Sequence, residues 1–254
     1  MRIKDNYYRL YLPDPLAENK IFNIDGDTTH YLSIVLKLKN KQIVKVFNDK
    51  SGEFIAEFIN DKKNPHLIVR QSLRHATKAK TLYLGMCIVK NAIMSEIFDK
   101  GTQLGVTHFL PIISSYTQNK EFNLGRYQKI IKEATEQCGR CDMPILEEPQ
   151  SLEHFLQRQF DLLIFANETE EEKNVLNIEK WPKNIALLVG PEGGFSSDEI
   201  EMIQKTRNTF SITLSKNILR SETAVIALLS QIQLLREAHT LQDGELMPQS
   251  APRL

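Results

Sequence analysis

Two short segments near the C-terminal end carry residue types that can build a ligand pocket. The first, Gly190-Pro191-Glu192-Gly193-Gly194-Phe195, follows the apolar run Ile185 to Val189. Glycines there let the backbone turn sharply and let a ligand approach main-chain N–H and C=O groups closely. The second, Leu214-Ser215-Lys216-Asn217-Ile218-Leu219, is apolar with a polar insert. That composition suits the enclosure of a flat apolar group such as adenine. Arg220, Ser221 and Glu222 follow at the start of a helical pattern. A guanidinium at a pocket rim holds a phosphate or stabilises developing negative charge. Ser221 as N-cap and Glu222 beside the helix N-terminus would also serve the helix itself. Neither a G-x-G-x-x-G nor a Gly-x4-Gly-Lys-Ser/Thr is present, so the ligand need not be a dinucleotide or a nucleoside triphosphate.

The elements that must position these loops follow from the pattern of apolar residues. From Leu82 onward, near-continuous apolar runs alternate with helical patterns. The strand-like runs are 82–89, 108–113, 161–166, 185–189 and 210–214. Helices are expected around Ile93–Phe98 and over 126–138, 197–206 and 222–239, the third capped by Ser196 with Glu199 as its capping-box partner. Such alternation argues an α/β domain with a mostly parallel sheet covered on both faces, and loops at the carboxyl ends of its strands are the ligand-binding positions. Residues 1–75 read as β-rich. Strands over 42–47 and 53–58 flank the hairpin loop 48–52, and 66–70 is a further strand. A short helix capped by Asp27 or Thr28 turns His30, Leu32, Val35 and Leu36 inward. Residues 71–80 are polar and basic and read as a linker. The expected division is therefore 1–74, 75–240 and a loose tail, 241–254.

Bulk properties narrow the class. The 254 residues, 41% hydrophobic and 25% charged, suit one or two globular domains. Met1 to Asp5 has no apolar secretory region, and no apolar run reaches the ~18 residues of a membrane span. Three cysteines, Cys87, Cys138 and Cys141, point to reduced thiols in a cytoplasmic protein. The net charge is zero, yet residues 1–75 carry 13 Lys and Arg against 9 Asp and Glu. A basic N-terminal part is compatible with a polyanionic partner and equally with ordinary surface variation.

The two C-terminal loops, taken with Ile218-Leu219-Arg220-Ser221-Glu222-Thr223-Ala224, resemble the ribosomal RNA small subunit methyltransferase E family of the knotted SPOUT methyltransferases. Glu136-Gln137-Cys138-Gly139-Arg140, Leu104-Gly105-Val106 before Pro111, and His30 to Leu36 also match, so the likeness runs from about residue 9 to about 236. Four positions depart from the pattern. Ser215 stands for a glycine, Asn217 and Lys37 for arginines, and Gln103 for an acidic residue.

The resemblance implies an S-adenosylmethionine-dependent methyltransferase acting on N3 of a uridine in 16S ribosomal RNA, cytoplasmic and without a metal. It implies a PUA-like β-barrel domain over 1–74 for RNA binding. It further implies a SPOUT domain over 75–240 with a trefoil knot, and a homodimer built on that knot. The implied cofactor residues are Leu188, Gly190, Gly193, Gly194, Leu214, Ser215, Ile218, Leu219 and Thr223. Arg9, Lys37 and Arg140 are implied for RNA. Arg220 is the expected catalytic residue, with Glu222 or Glu192 as base. The uracil imide is protonated at neutral pH, so its proton must leave or its negative charge must be stabilised. Rival readings are methylation of another RNA, a non-catalytic RNA-binding protein, and a redox or zinc role for Cys138-x-x-Cys141. The last is disfavoured because these cysteines end a helical run rather than start one.

Overall fold

The computed structural model describes residues 7–242, apart from 62, 78, 119, 120, 169, 171, 172, 179 and 180. The chain divides into two compact units. Among the described residues, one comprises 7–77 and Thr135–Met143, and the other Ala79–Ala134 with 144–242.

In the first unit the strands β1 (Arg9–Tyr11), β2 (Ile21–Asn23), β3 (Gln42–Asn48), β4 (Gly52–Ile59) and β5 (His66–Arg74) form one sheet. Its order is β1-β3-β4-β5-β2, parallel between β1 and β3 and otherwise antiparallel. The expected strands are present, and β5 runs through Arg74, which shortens the presumed linker. Period-2 alternation is visible in β4, where Phe54, Ala56 and Phe58 are buried. They join Val44, Val46, Leu67 and Val69 in one core.

The helix α1 (Gly26–His30) is capped by Asp25, whose carboxylate accepts from Thr28 N–H at 2.7 Å, and not by Asp27 or Thr28. It continues as a π-helical turn, Tyr31–Val35, with Leu36 N–H donating to Tyr31 O. That wider i→i+5 spacing changes which side chains share a face. Leu32 is fully buried as expected, but Val35 is 57% exposed and His30 is exposed.

The second unit holds β6 (Leu82–Cys87), α2 (Asn91–Gln103), β7 (His108–Ile113) and α3 (Leu124–Cys138, whose last turn groups with the first unit). Next come β8 (Ile145–Leu146), β9 (Gln150–Ser151), α4 (Leu152–Leu156) and β10 (Leu162–Ala166). The last elements are β11 (Ile185–Val189), α5 (Ser197–Lys205), β12 (Thr209–Ile212) and α6 (Ser221–Gln242). The seven-stranded sheet has the order β12-β10-β11-β6-β7-β8, with β9 also on β7, and every pairing is parallel. All five residues of β11 are buried, as a central parallel strand requires. Its Ile, Leu and Val side chains each contribute about 1.5–3 kcal/mol of burial. β8, β9 and α4 are too short to leave a periodic signal. Residues 241 and 242 extend α6, and the rest of the expected tail, like Met1 to Asp5, lies outside the described residues. Among the described residues no helix is long and apolar enough to cross a membrane.

Candidate functional site

β10, β11 and β12 end side by side, with Ala166 paired to Ile212 and Phe165 to Leu188. The loops leaving their carboxyl ends enclose a cavity of about 280 Å³. This lies near the lower end of small-molecule pockets.

The glycine loop forms one wall. Gly194 sits at φ +70, a left-handed conformation that side chains disfavour, and its N–H closes the turn onto Pro191 O at 2.9 Å. At Gly190 the constraint is space, since a Cβ would lie 3.0 Å from the Phe195 ring. The expected capping box then starts α5. Ser196 Oγ accepts from Glu199 N–H, and Glu199 Oε2 accepts from Ser196 N–H at 2.9 Å. The other oxygen of this buried carboxylate accepts from Ser115 N–H at 2.8 Å, tying the segment after β7 to the same helix start.

The second wall is the loop after β12. Ser215 Oγ accepts from Asn217 N–H at 3.0 Å, so two positions that depart from the family pattern are bonded to each other. Thr213 Oγ1 donates to Ser215 O at 3.2 Å. Ile218 is 85% exposed. The walls are joined by Ser221, whose hydroxyl donates to Gly190 O at 3.1 Å. The Ser221 hydroxyl thus binds the neighbouring loop, and α6 opens with Ala224 N–H donating to Arg220 O at 2.8 Å.

Of the residues assigned to the cofactor, Gly190, Gly193, Gly194, Leu214, Ser215, Ile218 and Leu219 all line this cavity. Leu188 is buried one position deeper in β11, and Thr223 is exposed on α6; neither lines it. Glu192, within the glycine loop, and Arg220, just before α6, are exposed and do not line it. Glu222 is half-buried, and its Oε2 is fully buried with no hydrogen-bond partner among the described residues. Lys216, within the second expected loop, also lines the cavity, and so do Phe165, Asn167 and Glu168, which were not anticipated. The end of β10 becomes part of the site only through strand order, which sequence adjacency does not reveal.

The residues assigned to RNA lie in the first unit. Arg9 is 11% exposed and heavily engaged. It donates to Glu53 Oε1 at 2.5 Å, to the carbonyls of Thr135 and Glu136 at 3.0 and 3.1 Å, and to Arg140 O at 2.8 Å. Its guanidinium also lies 4.0 Å from the Phe47 ring centroid. Arg140 pairs with Asp142 and is likewise 11% exposed, whereas Lys37 is exposed at φ +53. Burial pushes the Cys141 thiol up, and burial drives the Cys87 thiol to about 12. A redox cysteine needs the opposite direction. Among the described residues no His, Cys, Asp and Glu cluster could hold a metal ion.

Residues 76–233 match the family model of the RNA methyltransferase domain. The chain is 38% identical over 235 residues to ribosomal RNA small subunit methyltransferase E of Rickettsia conorii, covering 90% of this chain and 96% of that protein. The Buchnera aphidicola enzyme of the same name, from the Schizaphis graminum symbiont, is 30% identical, covering 91% and 98%. Among solved structures, a methyltransferase from Legionella pneumophila in complex with bound cofactor SAM superposes with a TM-score of 0.83 at 26% identity, covering 91% of this chain and 98% of that one. By its sequence, matched along nearly its whole length, the chain belongs to the ribosomal RNA small subunit methyltransferase E family of RNA methyltransferases.

Proposed function

We propose that the protein transfers a methyl group from S-adenosylmethionine to N3 of a uridine in the 16S ribosomal RNA of the small subunit. The observation that carries this reading is the single cavity formed by the glycine loop and the loop after β12, fastened by Ser221 to Gly190. The residues suit the cofactor chemically. Leu214, Ile218 and Leu219 offer apolar surface for adenine, and the glycine loop leaves backbone groups open to a ligand. When bound, the cofactor supplies an activated methyl group on a sulfonium.

The chain's own part is placement and charge. The two walls would hold the donor, so that a base entering from the rim would meet it already oriented. Arg220, exposed at the start of α6, is proposed to orient the uridine and stabilise the negative charge that develops on its ring. Glu222, half-buried in the first turn of α6, is proposed to accept the N3 proton at its carboxylate. Glu192 is the second candidate for that proton. Lys37 is proposed to contact RNA directly. Arg9 and Arg140 are proposed to act on RNA by shaping the segment 135–142 that they hold.

Family membership further supports a PUA-like N-terminal domain over 1–74, a trefoil-knotted SPOUT domain over 75–240, a homodimer built on the knot and a cytoplasmic location. The test is mass-spectrometric nucleoside mapping of ribosomal RNA from cells with and without the gene. Loss of one N3-methyluridine is expected. An unchanged map, or a change confined to transfer RNA, overturns the assignment.

A further inference from the structure

The cavity is lined almost wholly by uncharged groups. Among the described residues only Glu168 and Lys216 bring charge to it, and the charges are opposite. They come from neighbouring strands. Glu168 follows β10, Lys216 follows β12, and these two strands pair directly. The Glu168 carboxylate reaches the glycine loop, its Oε1 lying 3.6 Å from where a Cβ on Gly194 would stand. Lys216 lies within the loop that also supplies Leu214, Ile218 and Leu219. Both side chains are exposed, and no ion pair joins Glu168 to Lys216. Two unlike charges on one cavity, not neutralising each other, complement a ligand that is itself a zwitterion.

We propose that Glu168 and Lys216 bind the amino-acid end of the cofactor, Glu168 facing the α-ammonium and Lys216 the α-carboxylate. This inference rests on the reading of the cavity as an S-adenosylmethionine site. It adds how the site tells the full cofactor from its adenosine half. The apolar wall serves the adenine in either case, whereas the two charges serve only a ligand that carries both an ammonium and a carboxylate. No bond is made or broken by either residue, so their effect falls on affinity.

Calorimetric titration of the full chain tests this with three probes: S-adenosylmethionine, S-adenosylhomocysteine and 5′-methylthioadenosine. The last keeps adenine, ribose and thioether but lacks the amino-acid end. The variants are Glu168→Gln and Lys216→Met, whose exposed positions leave the melting temperature a check on folding. Each is expected to weaken S-adenosylmethionine and S-adenosylhomocysteine about tenfold while binding 5′-methylthioadenosine within about twofold of the parent. Unaltered binding of S-adenosylhomocysteine overturns the proposal. So does an equal loss of 5′-methylthioadenosine, which would assign Glu168 to the ribose hydroxyls instead. If the parent chain binds none of the three probes, the cofactor reading of the cavity fails, and this inference fails with it.

Discussion

The hydroxyl of Ser221 donates to the carbonyl of Gly190 at 3.1 Å, linking the first turn of α6 to the glycine loop across 31 residues of chain. One neutral hydrogen bond contributes about 1 kcal/mol. Ser221→Ala is therefore expected to weaken S-adenosylmethionine about fivefold and to lower global stability by no more than about 1 kcal/mol. Calorimetric titration and urea unfolding, measured on the same preparation, check both. Unchanged cofactor affinity would mean that the two walls hold their spacing without this bond.

Gly194 and Gly190 should respond differently to substitution. At Gly194 the obstacle is φ +70, while the space for a Cβ is open to 3.6 Å. Asparagine tolerates this conformation better than alanine. The expected order of stability is Gly194, then Gly194→Asn, then Gly194→Ala, with the alanine variant lower by about 1 kcal/mol. At Gly190 the neighbouring Phe195 ring must shift, so Gly190→Ala should disturb the cavity itself. Urea unfolding of the three variants gives the ranking.

Arg9 is a buried anchor of the first unit. Removing its side chain leaves Glu53, 9% exposed, with Arg74 as its remaining ion-pair partner and takes one donor from each of three carbonyls. Arg9→Ala is expected to destabilise the chain by about 3 kcal/mol. Arg9→Lys should recover little, because one ammonium cannot match the planar fork that spans these acceptors. A melting curve no lower than the parent's would contradict this role.

Glu222 has the chemistry for a proton acceptor. Glu222→Gln preserves shape and is expected to reduce kcat by roughly 10²–10⁴-fold with little change in cofactor affinity. Methyl transfer to small ribosomal subunits, followed over pH, measures it. Comparable kcat in the variant would shift the assignment to Glu192.

His108 gives the second unit a pH response. Desolvation holds its pKa below the ordinary 6.5, and Arg158 adds to this while Glu147 opposes it. Its Nδ1 lies 2.9 Å from Thr107 Oγ1, and its ring is 4.6 Å from Tyr83. Below 6.5 the unfolded chain takes up a proton that folded His108 refuses, so the unfolded state binds more protons and stability rises with pH. The contribution is complete above that value and is lost as pH falls through the folded pKa. Melting temperatures between about pH 7.5 and 5.5 should fall more steeply for the parent than for His108→Gln.

Much of this was legible in the residues. β11 and β7 could be read to their ends because an unbroken apolar run bounded by polar residues is what a buried parallel strand requires. The glycine loop and the loop after β12 were legible as two walls because each follows such a run. Glu168 was not, since only lateral pairing brings the end of β10 beside β11. Val35 was misplaced because the pattern assumed 3.6 residues per turn where the backbone forms an i→i+5 turn. Arg9 was expected to meet RNA, yet its donors are taken up by Glu53 and by carbonyls more than a hundred residues away.

The carboxylate of Glu199 holds Ser196 N–H with one oxygen and Ser115 N–H with the other. The far end of the glycine loop is thereby fastened to the segment after β7 through one carboxylate. A donor molecule entering the cavity does not have to form these two bonds, and the apolar area that it and the walls cover should show as a negative heat-capacity change on binding.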